Sequence, residues 1–259
     1  MKRHIIYLTE TDSTNNYLSR YAMSGTDYVV AVADYQTAGR GQAGNRWESE
    51  RGKNLLYSIL ACPLPVAVSR QFILSMAHGL ALKEALGRYI SGVTLKWPND
   101  IYWQDCKLGG TLIEVSVGDG RLKRCVFGTG INVNQQVFRS DAPNPVSLLQ
   151  IIGDETDRKR LLEDILLAFE HNYMMVEQGR YDEIIERYHH ALYRCKGFYP
   201  YRDKDGEFDA EIVKVAPDGR ITLRERTGKE RVYAFKEVAF VLNHDATKQE
   251  TINNNDKNN

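Results

Sequence analysis

A chain of 259 residues, 42% hydrophobic and 26% charged, has room for one large domain, or one large and one small, around a substantial core. Lysine plus arginine and aspartate plus glutamate both total 34, so no overall basic field exists and nucleic acid is not the evident partner. The four cysteines (Cys62, Cys106, Cys125, Cys195) are scattered, with no CxxC pair and no zinc-type Cys/His spacing, and read as free thiols in a reducing compartment. The N-terminus lacks the long apolar stretch of a signal peptide. No segment approaches the roughly 18 apolar residues of a membrane span, which predicts a soluble, cytoplasmic protein.

Taken in order, residues 5–8 form a short strand. Thr11-Asp12-Ser13-Thr14 offers N-caps for a helix running to about Met23, with Gly25 ending it. Ser13 is then either a plain cap or, with Thr14 and Asn15, a polar group facing a ligand. Residues 29–33 are an apolar run that reads as a buried strand. They lead into "QTAGRGQAGNRW" (36–47), where three glycines sit among Arg40 and Arg46 and Trp47 closes the run. Glycine admits positive φ and close backbone approach, and arginine offers a planar charged fork for phosphate or carboxylate, so this stretch reads as an anion cradle or a surface turn. It is not a P-loop, because Asn45-Arg46 follows Gly39 and Gly44 where lysine and a hydroxyl are needed. Residues 39–44 match G-x-G-x-x-G, yet polar residues and a strand follow instead of a helix.

Leu55–Ala61 is the next strand, closed by Pro63 and Pro65. Residues 69–89 carry Phe72, Met76, Leu80 and Ile73, Ala77 at four-residue spacing, which predicts an amphipathic helix with His78 as a packed helix residue. Residues 93–97 are a strand broken by Pro98, 98–100 a turn, and 101–103 extended again. After Lys107-Leu108-Gly109-Gly110, residues 111–117 pair with Arg121–Ile131 through Gly118-Asp119-Gly120 as a hairpin. Thr156 or Asp157 caps a helix to Val176, with Gly179 past its end, and a further helix covers 181–192. His189-His190 on it read as surface or packing residues, and no HExxH is present. From Gly197 short alternating segments between Asp-Gly and Thr-Gly turns form a small all-β module, and the polar tail from Asn243 is predicted disordered. The prevalence of hairpins predicts an α+β fold with a mixed, largely antiparallel sheet and flanking helices.

The glycine loop, "KWPND" (96–100), "KLGG" (107–110), the Ser13-Thr14-Asn15 cap and Gly128-Thr129-Gly130-Ile131-Asn132 together resemble the biotin protein ligases, in order and spacing, over residues 1 to about 242. The resemblance implies a class II aminoacyl-tRNA synthetase/biotin ligase-like catalytic domain (1–196), an SH3-like C-terminal β-barrel (197–242) and a tail (243–259). It implies that biotin and ATP with Mg2+ give biotinoyl-AMP, which passes biotin to a lysine of the biotin carboxyl carrier domain of a carboxylase. Ser13, Thr14, Asn15, Gln36, Gly39, Arg40, Gly41, Lys107 and Gly110 would hold biotin. Arg40, Arg46, Trp47, Asn99, Lys107 and Asn132 would hold ATP or the adenylate, with Trp47 packing over it as the loop closes. Arg40, Lys96, Asp100 and Lys107 would serve the chemistry, Asp100 by orienting the acceptor lysine, and no protein ligands are assigned to the metal. Two departures stand out: Gln42 occupies a position where many members carry arginine, and the chain starts almost directly at the catalytic strand, without the helix-turn-helix of members that double as repressors. The second implies a monofunctional ligase without operator binding; a homodimer stays open. The rival readings are a lipoate or octanoate ligase and a non-enzymatic biotin-sensing module.

Overall fold

The computed structural model describes residues 1–23, 25–62, 66–140 and 144–242. Pro63, Pro65 and the polar tail from Asn243 lie outside them. The chain divides into two compact units, Met1–Tyr193 and Arg194–Asn259.

The first unit is built on a seven-stranded sheet. Its elements run β1 (Arg3–Leu8), α1 (Thr14–Ser19), β2 (Tyr28–Ala33), β3 (Leu55–Ala61), α2 (Phe72–Leu86), β4 (Val93–Lys96), β5 (Asp100–Trp103), β6 (Cys106–Gly118), β7 (Arg121–Ile131), α3 (Leu148–Ile152), α4 (Arg158–Glu177) and α5 (Tyr181–Ala191). The strand order is β1-β2-β3-β7-β6-β5-β4. Only β1 and β2 are parallel; every other neighbour is antiparallel, so the sheet is mixed and largely antiparallel. Every residue of β2 and β3 is buried, because helices cover both faces there, and this is why β2 reads as an unbroken apolar run and β3 as one interrupted only by Ser58.

The two faces differ. On one, α1 seats Leu18 against Val29, Ala31, Leu60 and Val126, and each fully buried Leu or Val contributes about 1.5–3 kcal/mol relative to exposure. On the other, α2 and α4 enclose Phe127, Phe169 and His78, whose rings lie 5.2–5.9 Å apart. The β6–β7 hairpin turns through Asp119 and Gly120, both at positive φ (+52° and +71°), as a two-residue Asp-Gly turn requires. Asp157 caps α4 by accepting from the Lys159 and Arg160 amides.

Three expectations change. α1 stops at Ser19 rather than Met23, because Arg124 from β7 donates to the Leu18 and Tyr21 carbonyls (3.0 and 2.7 Å) where a further helical turn would have bonded them. Gly25 (φ +67°) therefore sits beyond the helix end. α2 is not amphipathic: ten of its fifteen residues are buried, since it packs on the sheet and also beneath α4 and α5. Finally, α3 was not foreseen; Ser147 and Gln150 form its capping box and Gly153 (φ +90°) ends it.

The second unit holds β8 (Tyr199–Asp203), β9 (Gly206–Val215), β10 (Ile221–Glu225), β11 (Glu230–Tyr233) and β12 (Ala239–Phe240) in one antiparallel sheet ordered β11-β10-β9-β8-β12. Tyr201 is buried at its centre beside Phe208 and Phe240. Asp203 accepts from Arg231 (2.9 Å) and from the Tyr233 hydroxyl (2.6 Å).

Candidate active site

The α1 face of the sheet is cleared by glycine where the site lies. Strand alternation puts Gly128 and Gly130 of β7 on this face and Thr129 on the other, where its hydroxyl bonds His78 Nε2 (2.8 Å). A Cβ on Gly128 would stand 2.1 Å from Asn15 Oδ1, and one on Gly130 2.5 Å from the Trp47 ring. Both approaches need glycine. On β6, Gly110, Leu112 and Glu114 share the same face by the same period of two.

A narrow cleft, open to solvent on one side, lies over this floor. At its inner end the polar groups are interlocked. Gln36 Oε1 accepts from the Thr14 amide (2.7 Å), and Ser58 Oγ lies 2.7 Å from Thr14 Oγ1 and donates to Asn15 Oδ1 (2.6 Å). Ser13 is almost fully buried at the N-cap position, yet its hydroxyl makes no capping bond, so the plain-cap reading does not describe it.

At the outer end Lys107 Nζ pairs with Asp100 Oδ1 at 2.7 Å, both side chains largely buried. A β-bulge places them: Asp100 pairs with Gly110 and Ile101 with Gly109, but Tyr102 pairs with Lys107, leaving Leu108 extra. Such a bulge re-aims the side chains beside it. The Lys107 backbone is pinned by the 144–146 segment, its amide donating to Asn144 O (2.7 Å) and its carbonyl accepting from Val146 (2.9 Å).

The glycine loop closes on itself. Trp47 N donates to Gly39 O (3.0 Å) and Gly41 N to Asn45 O (2.7 Å), with Gly44 at φ +87° in the turn. This hairpin lays the Trp47 indole on Gly130 and Gly110, with Lys107 Nζ 5.9 Å from the ring. A second, roomier cavity opens beyond it and includes Arg46, Asn132, Phe138 and Pro145. Gly41, Gln42, Trp47 and Lys107 line both cavities. Two polar atoms at this junction, Trp47 Nε1 and Gln42 Oε1, are buried with no partner among the described residues. Left so, each costs about 1–3 kcal/mol, and a ligand supplying one acceptor and one donor would recover it.

The residues expected to hold a ligand mostly converge. Ser13, Thr14, Asn15, Gln36, Arg40, Gly41, Trp47, Asn99, Asp100, Lys107 and Gly110 all line the first cleft, and Gly39 abuts Gln36 and Trp47. Arg46 lies in the second cavity, with no ion pair among the described residues. Lys96 does not line that cleft: it borders a smaller cavity with Ser75, Pro98 and Tyr188, which shares Asn99, Asp100 and Thr111 with the first, and its Nζ lies 5.0 Å from the Tyr102 ring. Asn132 lines the second cavity, but its amide nitrogen donates to the Val146 and Lys107 carbonyls (3.1 and 3.4 Å) and so ties β6 to the 144–146 segment. Arg40 is engaged by Glu114 in a fork of 2.8 and 3.3 Å, with Asn16 Oδ1 at 3.0 Å. Ser58 and Glu114 were not foreseen. The β6 alternation from Gly110 was the available signal for Glu114; Ser58 needed the β3–β7 register, which pairs it with Gly128.

Among the described residues no group of three or more His, Cys, Asp or Glu could hold a metal ion, and no helix is long and apolar enough to cross a membrane. His78, packed and fully buried as a helix residue, is held neutral by burial, its pKa lowered to about 3.

Comparison with known proteins agrees with this site. Residues 7–132 match the Biotin/lipoate A/B protein ligase family. The chain is 30% identical over 246 residues to the bifunctional ligase/repressor BirA of Bacillus subtilis (strain 168), covering 90% of this chain and 73% of that one. It is 34% identical over 174 residues to the biotin–[acetyl-CoA-carboxylase] ligase of Mycobacterium tuberculosis, covering 65% and 63%. A solved biotin protein ligase from Aquifex aeolicus, in complex with biotin and ATP, matches with a TM-score of 0.75 at 26% identity, covering 92% of this chain and 98% of that one. A glycine floor under an interlocked polar end, the Lys107–Asp100 pair beside an arginine-bearing loop, and this shared ancestry lead to one conclusion: the chain belongs to the biotin protein ligases.

Proposed function

We propose that the chain activates biotin with ATP and transfers it to a lysine of a biotin carboxyl carrier domain, and that the two cavities divide the substrates. Biotin takes the first cleft, its ureido ring against Ser13, Thr14, Asn15 and Gln36, which Ser58 supports from beneath, and its carboxylate toward Lys107. The nucleotide takes the second cavity, with Arg46 and Lys107 on its phosphates. The observation that carries this reading is that the two cavities meet at Lys107, Trp47, Gly41 and Gln42, where a biotin carboxylate and an α-phosphate must touch.

In the first step a carboxylate oxygen bonds the α-phosphorus and pyrophosphate leaves. Two like charges 4 Å apart repel by about 4 kcal/mol at an effective dielectric of 20, which cations at the junction offset. In the second, the acceptor amine attacks the acyl carbon and AMP leaves, with Asp100 placed to orient that amine. Mg2+ enters on phosphate oxygens and water. No covalent enzyme intermediate is needed; positioning supplies most of the acceleration.

The finer assignments follow the same reading. Residues 1–196 are the catalytic domain and 197–242 an SH3-like barrel, for which the five antiparallel strands β8 to β12 are the support. Arg40 contacts the adenylate once it leaves Glu114, and Asn132 serves adenine by fixing the cavity wall. A cytoplasmic location suits free thiols; β1, an edge strand, is the place for a second copy to pair.

The deciding experiment offers biotin, lipoate and octanoate separately with ATP, follows pyrophosphate release, and then looks for biotin on a carrier domain. Biotin-dependent pyrophosphate and an ATP-dependent label are expected. Release driven by lipoate or octanoate would assign the chain to the sister ligases. Biotin binding without any label would make it a sensor.

A further inference from the structure

The site keeps its loop arginine on a carboxylate of the same chain. Glu114 Oε1 receives Arg40 Nη2 at 2.8 Å and Oε2 receives Nη1 at 3.3 Å, in the forked geometry arginine adopts with carboxylate or phosphate. The same Oε2 accepts from Asn15 Nδ2 (2.8 Å), and Asn15 Oδ1 accepts from Ser58. One continuous network therefore joins the inner end of the biotin cleft to the stem of the glycine loop, where the Arg40 backbone pairs with Arg46. Asn15 and Ser58 are buried, whereas Arg40 and Glu114 are partly exposed (44% and 38%), so the first two are fixed and the ion pair is exchangeable.

From this geometry we infer that Glu114 is a positioning residue: an internal stand-in for the ligand's anionic oxygens that holds Arg40, and with it the closed loop, until substrate takes the arginine over. The inference rests on the biotin and ATP reading of this site. Glu114 touches no reacting atom. Its carboxylate occupies the guanidinium fork, so an incoming carboxylate or phosphate has to displace it before using Arg40. Two consequences follow. Removing the Glu114 charge strengthens ligand binding, and it loosens the loop only while no ligand is present.

The test compares the wild-type chain with Glu114→Gln, Glu114→Asp and Arg40→Ala/Glu114→Gln. Calorimetry reads affinity for biotin and for a non-hydrolysable biotinoyl-AMP analogue; limited trypsin digestion reads cleavage after Arg40 and Arg46. A partly exposed ion pair limits the gain, so Glu114→Gln should bind the analogue up to about fivefold more tightly. Its loop should be cut faster than wild type without ligand and at the wild-type rate with it. Glu114→Asp should restore wild-type behaviour, and the gain should vanish when Arg40 is absent. Weaker analogue binding by Glu114→Gln, or faster cleavage that persists with ligand, would make Glu114 a scaffold residue and overturn the inference. If wild type itself binds neither biotin nor the analogue, the functional reading fails instead.

Discussion

Gly130→Ala tests the arrangement at the junction of the two cavities. The strand backbone at Gly130 accepts alanine, since its φ is not positive, so the effect is confined to what the methyl group meets. That group would stand 2.5 Å from Trp47 Cε2 and 2.8 Å from Cζ2 and Nε1. Restoring a carbon contact of about 3.5 Å moves the indole by about 1 Å. Overpacking of this kind costs about 1–3 kcal/mol, a factor of about 5 to 140 in retention of the adenylate under the loop. The assay preforms biotinoyl-AMP in a single turnover, removes free ligand and follows release. Urea unfolding runs in parallel to show that the fold is kept. Trp47→Ala and the double variant complete the comparison: if Gly130→Ala acts by displacing Trp47, adding it to Trp47→Ala should change release by less than about twofold. Full additivity, or normal retention in Gly130→Ala, would refute the argument. Gly109→Ala is the contrast, because its methyl group meets Gly130 O and Ile131 Cδ1 at 2.8 Å in the packed sheet and should lower the urea midpoint instead.

Arg40→Ala should release biotinoyl-AMP faster, read as labelling of bystander lysines; unchanged retention would remove Arg40 from the adenylate. Asp100→Asn leaves Lys107 without its 2.7 Å partner and should slow transfer to the carrier by about 10²-fold or more while pyrophosphate release continues, as expected of a group that orients the acceptor amine. Equal loss in both steps would make Asp100 a partner of Lys107 only. His78 binds its proton at pH 6.5 when unfolded and at about 3 when folded, so the unfolded chain takes up the extra proton between these values and stability falls as pH drops below 6.5. From pH 7 to pH 5 this should remove about 2 kcal/mol relative to His78→Gln, measured by urea unfolding at each pH. A pH dependence identical in both proteins would show that His78 titrates normally.

Much of the framework depends on residues close together in the chain. The unbroken apolar run of β2, the strand at Leu55–Ala61, the Asp119-Gly120 turn and the Asp157 cap are each decided within a few residues by steric preference and backbone hydrogen bonding, and each stands as read. The capping box of α3 was equally local, and only its shortness hid it. What tertiary structure decided lies between segments distant in sequence. Arg124 ends α1 from more than 100 residues away, and α2 is buried on two sides because α4 and α5 cross it. The β3–β7–β6 register brings Ser58 beneath the site, and Glu114 meets Arg40 only across it, while of "KWPND" only Asn99 and Asp100 reach the cleft and Lys96 falls outside it. Alternation states that a side chain faces one side of a sheet; which neighbours share that side depends on strand pairing, and pairing is set by the whole core.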